Sequence, residues 1–75
     1  MIADADGFAA WLETRPYSPI TRALRVKQVR ACYRAGVTSP DDVDEVFIHR
    51  SASRKYRTNL RSALRLYADY TEAAT

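Results

Sequence analysis

An arginine stripe runs along one side of the last predicted helix. It consists of Arg54, Arg57, Arg61 and Arg65. These residues are spaced by three, four and four positions, so on a helix of 3.6 residues per turn they share one side. Thr58 and Ser62 lie beside them, where short hydroxyl side chains can also reach a phosphate. The stripe predicts a surface that binds an anion.

The charge distribution separates two basic segments from acidic neighbours. The net charge is only +3, but residues 22–34 and 50–65 hold eleven of the twelve Lys and Arg residues and none of the nine Asp and Glu. Such asymmetry indicates an electrostatic footprint. The second segment has no acidic residue that could relieve the repulsion within the stripe at i, i+4 spacing. We therefore expect an external anion to relieve it.

The sequence gives little support for a metal site or for catalysis. His49 is the only histidine and Cys32 the only cysteine, so one chain cannot build an ordinary Cys/His zinc site. Cys32 is expected to be buried and inert. The acids at residues 41–45 lack the spacing of a calcium loop, and we interpret them as the start of a helix, with a metal or a basic partner as the alternative. No catalytic residue, metal site or cofactor is predicted.

The segments that position these residues are helical in pattern. Residues 4–13 form a short helix that buries Phe8, Trp11 and Leu12. Ser18 caps a helix that runs to about residue 34, before Gly36. A third, short helix follows residues 39–40 and ends near residues 49–50, and Ser51 or Ser53 caps the last helix. No segment alternates like a strand. The sequence predicts one all-α domain over residues 1–75, a four-helix bundle with helices 2 and 4 long and helices 1 and 3 short.

Apolar spacing assigns the core faces. The predicted core of the last helix is Tyr56, Leu60, Ala63, Leu64, Tyr67 and Tyr70. The predicted core of the third helix is Val43, Val46, Phe47 and Ile48. The second helix carries two apolar arcs, one with Ile20, Leu24 and Ala31 and the other with Val26, Val29 and Tyr33. Two arcs predict neighbours on both sides, which would make the second helix central.

Cysteine usage and hydropathy predict a compartment. A single cysteine excludes an internal disulfide framework and fits a reducing environment. No charged segment with a following apolar run stands at the start, and no apolar run is long enough to span a bilayer. We expect a soluble, cytoplasmic protein without a membrane partner.

The last helix resembles a known DNA-binding element. Its run from Arg57 to Tyr67, RTNLRSALRLY, with Tyr70 after it, is similar to the final helix of the core-binding (SAM-like) domain of tyrosine recombinases and phage integrases. The aromatic-rich first helix and the pair Ser18 and Thr21 also resemble that family, so the likeness extends from about Phe8 to Glu72. Arg25 departs from it, since the family often has an aromatic residue there.

The resemblance implies a compact SAM-like bundle that forms half of a clamp around double-stranded DNA, as a non-catalytic module in DNA integration and recombination by a mobile element. Helices 2 and 4 would face the duplex. The implied DNA-binding residues are Arg54, Arg57, Thr58, Arg61, Ser62, Arg65, Lys27, Arg30 and Arg34. Asn59 or Gln28 could pair with adenine. The family's catalytic residues belong to a following domain that this sequence lacks, so the chain is either a fragment or a stand-alone relative. A following catalytic domain and other copies of the chain are further candidate partners.

Three other interpretations compete with DNA binding. The arginine stripe could be a solvated helix face. The chain could be a phage- or plasmid-type inhibitor or assembly factor whose basic face binds an acidic protein, or whose acidic third helix meets a basic face of another copy. A basic surface on a membrane fits least, because the core uses the apolar face of the last helix.

Overall fold

The computed structural model describes residues 3–74, and its regular elements are all helical. The four α-helices are α1 (Ala5–Leu12), α2 (Pro19–Arg34), α3 (Val43–Phe47) and α4 (Arg54–Ala73). Two 3-10 turns, Pro40–Asp42 and Ile48–Arg50, flank α3. The predicted all-α class, the four helices and the length of α2 and α4 are confirmed. The third helix differs from the prediction because only its middle five residues are α-helical.

Serine side chains begin the two long helices. Ser18 Oγ accepts a hydrogen bond from the backbone N–H of Thr21 at 3.2 Å, and Ser53 Oγ accepts one from Tyr56 N–H at 3.1 Å. Both bonds satisfy an N–H group that has no partner within its helix. Ser53 is therefore the cap of α4, and Ser51 instead adopts a left-handed conformation (φ 58°) after the 3-10 turn.

Gly36 ends α2 as predicted. Its φ of +79° is left-handed, a conformation that glycine adopts without steric cost. Gly36 N–H donates to Tyr33 C=O at 3.0 Å, and Val37 N–H donates to Cys32 C=O at 2.8 Å. This pair of bonds is a Schellman motif. It turns the chain so that Val37 packs in the same apolar cluster as Cys32.

Two apolar clusters form the core, and α4 contributes to both. The first joins α1, α2 and the C-terminal half of α4 and contains Ala3, Phe8, Leu12, Val29, Ala63 and Tyr67. The second joins the end of α2 to the region around α3 and contains Cys32, Val37, Val43, Phe47, Leu60 and Leu64. Because α4 packs against α1, α2 and α3, the central helix is α4. The prediction of a central α2 is wrong.

One predicted core arc of α2 faces outward. Ile20 is 82% exposed and Leu24 is 46% exposed, because the neighbours of α2 cover only its other side. The core predictions for Ile48 (55% exposed) and Tyr56 (39% exposed) are also wrong. Cys32 is fully buried, as predicted, and its burial raises the pKa of the thiol to about 11.

Candidate nucleic-acid interface

The arginine stripe lies on α4, and its members differ in how they are held. Arg54 and Arg65 are exposed, and Thr58 is exposed between them. Arg57 and Arg61 are partly covered, with side chains 17% and 24% exposed. The stripe therefore has an exposed edge, which contains Arg54, Thr58 and Arg65, and a partly covered edge, which contains Arg57 and Arg61.

Asp44 of α3 partners that second edge. Its Oδ1 atom accepts a hydrogen bond from Arg57 Nε at 3.0 Å and another from Arg61 Nη1. The expectation that an external anion relieves the repulsion within the stripe is therefore wrong for these two arginines, because Asp44 of the same chain does so. The i, i+4 spacing rule could not reveal this contact, because it applies within one helix and Asp44 lies 13 and 17 residues away. The acidic cluster does more than begin a helix.

Arg57 also stabilises the connection before α4. Its Nη1 atom donates to the backbone carbonyl of Ala52 at 2.7 Å. The side chain thus links α4 to both the connection and α3. Replacing Arg57 would consequently disturb local structure as well as charge.

The two hydroxyls beside the stripe differ in availability. Thr58 Oγ1 donates to the carbonyl of Arg54 at 3.0 Å and accepts a hydrogen bond from Arg61 Nη2 at 3.0 Å. Ser62 is half-buried. Thr58 therefore positions the Arg61 guanidinium group through a direct contact.

The cations of α2 lie apart from those of α4. Lys27, Arg30 and Arg34 are exposed, and at about 100° per residue they occupy the side of α2 opposite Val29 and Cys32, which face the core. Arg25, which donates to the Asn59 carbonyl of α4, lies on the opposite side of α2 from these three cations. The two basic segments therefore form two surfaces on different sides of the helix pair.

Acidic residues border the α2 surface. Arg30 and Arg34 line an open groove of about 680 Å³ together with Asp4 and Asp6, which lie at the start of α1. Neither arginine is within ion-pair distance of these acids. The groove brings both signs of charge together, so it is less favourable to a polyanion than the exposed edge of α4.

Arg25 has a structural role between α2 and α4. Arg25 Nη1 donates to Gln28 Oε1 at 3.1 Å and to the backbone carbonyl of Asn59 at 3.2 Å. The first bond lies within α2, and the second joins α2 to α4 where the two helices pack. Gln28 is only 3% exposed, so its suggested pairing with an adenine edge is wrong.

Hydrogen bonds also fix α1 against α4. Asp4 Oδ2 accepts a bond from the Tyr70 hydroxyl at 2.6 Å, and Asp4 N–H donates to the Tyr67 hydroxyl at 2.9 Å. Hydrogen bonds from the Tyr70 hydroxyl, which has the larger effect, and from the Gly7 N–H lower the pKa of Asp4. The same hydrogen bond to Asp4 raises the pKa of Tyr70. This contact lies at the C-terminal half of α4 and holds the fold rather than a ligand.

Residues 3–74 show no grouping of three or more His, Cys, Asp or Glu side chains suited to a metal ion. Over the same residues, no helix combines the length and the apolar character needed to cross a membrane. No family model, curated protein or solved structure matches the chain. The resemblance to recombinase core-binding domains stays a prediction based on the sequence alone.

Proposed function

We propose that this chain is a cytoplasmic, non-catalytic module that binds double-stranded DNA, of the kind found in site-specific recombinases and integrases. The observation that carries the proposal is the exposed edge of α4, formed by Arg54, Thr58 and Arg65. Lysine and arginine side chains that neutralise phosphates release condensed counterions, and this release drives much of the binding to DNA.

The geometry of this edge suits a duplex. Arg54 and Arg65 are eleven residues apart, which corresponds to about 16 Å along a helix. The major groove of DNA is about 12 Å wide, so two arginines at this spacing can reach phosphates on opposite sides of the groove. Arg61 lies between them and can contribute once its bond to Asp44 opens.

The α2 cations have a secondary place in this proposal. Lys27, Arg30 and Arg34 lie on a different side from the stripe, so one straight duplex resting on α4 does not contact them at the same time. They would contribute through long-range attraction or through a second DNA segment. The duplex would accordingly contact mainly α4, whereas the resemblance implies a joint surface of helices 2 and 4.

The test is a salt titration of binding to a labelled duplex of about two helical turns. The variants are Arg54→Ala and Arg65→Ala, with Arg15→Ala as the matched control, because Arg15 is an exposed cation outside the stripe that stacks on Trp11. Each stripe variant should make the log–log salt slope shallower by about one unit, whereas the control should leave it unchanged. Equal effects of all three variants would exclude α4 as the binding surface.

A second candidate is a module that binds an acidic protein. Arg57 and Arg61 already bind the Asp44 carboxylate, so the stripe accepts the chemical group that such a partner would offer. The same titration separates the two candidates. A chain that fails to bind duplex even at low salt does not bind DNA, and a pull-down for an acidic partner would then follow.

A further inference from the structure

An outward-facing stripe on α2 has an apolar half and a basic half. It consists of Ile20, Leu24, Lys27, Ala31 and Arg34. Their spacing of four, three, four and three places them on one side of the helix. Ile20 and Leu24 are among the most exposed large apolar side chains of the described residues. A regular apolar stripe on the outside of a helix is typical of a surface that another helix covers.

A complementary stripe lies on the same chain around α3. Asp41 lies in the 3-10 turn before α3, Glu45 lies in α3, and Ile48 begins the 3-10 turn after it, and all three are exposed. Ile48 is 55% exposed, although sequence spacing assigns it to the core. Unlike Asp44, which Arg57 and Arg61 hold, neither Asp41 nor Glu45 has an ion pair among residues 3–74. This surface therefore presents an apolar group followed by two unpaired carboxylates.

The two stripes match in antiparallel register. With Ile48 placed against Leu24, Glu45 lies about 4.5 Å back along its helix, and Lys27 lies about 4.5 Å forward along α2. Asp41 lies about 12 Å from Ile48, because the 3-10 turns rise about 2.0 Å per residue and α3 about 1.5 Å, which places it between Ala31 and Arg34. Ala31 is small and has Arg30 and Arg34 on either side. Ile48 thus meets Leu24, while both carboxylates meet cations.

We propose that the outer stripe of α2 in one copy binds the α3 stripe of a second copy. The two surfaces differ, so the contact is head-to-tail and leaves one unused stripe at each end of a dimer. Further copies can add to those ends. The proposal does not depend on DNA binding, because it uses neither Arg54 nor Arg65.

The first experiment is sedimentation velocity of the purified chain without DNA, from about 10 µM to about 1 mM, where contacts with micromolar to millimolar Kd become populated. Mean mass should rise with concentration and fall when salt is added. A chain that stays monomeric across this range overturns the proposal, and the apolar stripe would then belong to a different partner.

A mixing experiment tests the head-to-tail geometry. Leu24→Asp disables the α2 stripe, and Ile48→Asp disables the α3 stripe. Because both positions are exposed, both variants should still unfold cooperatively in circular dichroism melts. Each variant alone should be monomeric, because every contact requires both stripes. An equimolar mixture should form a 1:1 dimer and nothing larger, since only one intact pair of stripes remains.

The matched control is Ala68→Asp, which adds the same charge at an exposed position of α4 outside both stripes. It should associate like the unmodified chain. Self-association of either stripe variant alone, or a mixture that stays monomeric, overturns the head-to-tail contact.

Discussion

The Asp44 carboxylate of α3 accepts a hydrogen bond from Arg57 Nε of α4 at 3.0 Å. The same oxygen bonds Arg61, so one carboxylate holds the two central members of the arginine stripe. A phosphate approaching Arg61 must compete with this internal anion. Asp44 therefore both orders the stripe and opposes its proposed ligand.

Replacing Asp44 with Asn should strengthen DNA binding. For a phosphate bound about 7 Å from the Asp44 carboxylate, the substitution removes a repulsion of about 0.6 kcal/mol in water, which corresponds to roughly a threefold change in Kd. Stability should fall by only about 0.2–1 kcal/mol, as for other partly exposed ion pairs. Duplex titration and urea melts measure the two effects.

Asp42→Asn is the control for that change, since Asp42 is exposed in the same segment and has no ion pair among residues 3–74. Its effect on duplex affinity should be smaller than that of Asp44→Asn. Equal gains from both variants would mean that net charge alone matters and that the contact with Arg57 and Arg61 is irrelevant.

The positions of the helices could be predicted because their signals are local. Ser18 and Gly36 bound α2 through bonds within a few residues, and such bonds depend only on neighbouring sequence. Apart from Tyr56, the core face of α4 followed from apolar spacing. The division around α3 could not be predicted, because 3-10 turns are frequent at the ends of α-helices and the apolar spacing is the same up to the point where they begin.

The site was harder to predict because it depends on contacts between helices. The stripe itself is visible in the sequence, but its bond to Asp44 requires the packing of α3 on α4. In the same way, the spacing of Ile20 and Leu24 shows an apolar side of α2 without showing whether a neighbour covers it. Apolar spacing also does not show that a charged residue can lie on the inner side of α2. Arg25 does so because Gln28 and the Asn59 carbonyl accept its hydrogen bonds.

Truncating the buried leucines of α4 should destabilise the fold strongly. Leu60 is 0% and Leu64 is 2% exposed, so each change to Ala should lower the free energy of unfolding by about 2–5 kcal/mol. The matched control is Leu24→Ala on the outside of α2, which should cost within about 0.5 kcal/mol. Denaturant melts measure all three. Similar costs at Leu24 and Leu60 would contradict the assigned inner and outer faces.

Acid should weaken the contact between α1 and α4. Bonds from the Tyr70 hydroxyl and the Gly7 N–H hold the pKa of Asp4 below its ordinary value of 3.8. The folded pKa is the lower one, so this stabilisation is present above about pH 3.8 and is lost as pH falls through the folded pKa. Asp4→Asn, which keeps a capping side chain, should flatten the acid limb of stability in urea melts. Asp6→Asn is the control, and equal flattening by both variants would exclude a specific role for Asp4.

Alkali should weaken the same contact from the other partner. The bond to Asp4 raises the pKa of Tyr70 above its ordinary value of 10.0. Its stabilisation is therefore complete below about pH 10 and is lost as pH rises through the folded pKa. Tyr70→Phe should remove this loss, as measured by melting temperature across pH 9–12. A Phe variant that keeps the full alkaline loss would assign that loss to another tyrosine.

Gly7 should resist replacement by alanine although it lies inside α1. In an exposed helix the change stabilises by about 1 kcal/mol, but here the new Cβ would overlap the Tyr70 hydroxyl and the Asp4 carboxylate. Overpacking of this kind costs about 1–3 kcal/mol. Tyr70→Phe removes the hydroxyl and frees Asp4 to rotate, so in that background Gly7→Ala should become neutral or stabilising. A double-mutant cycle by urea melts measures this coupling, with Ala10→Gly as the control for helix propensity. A stabilising Gly7→Ala in the unmodified chain would contradict the close approach of Tyr70.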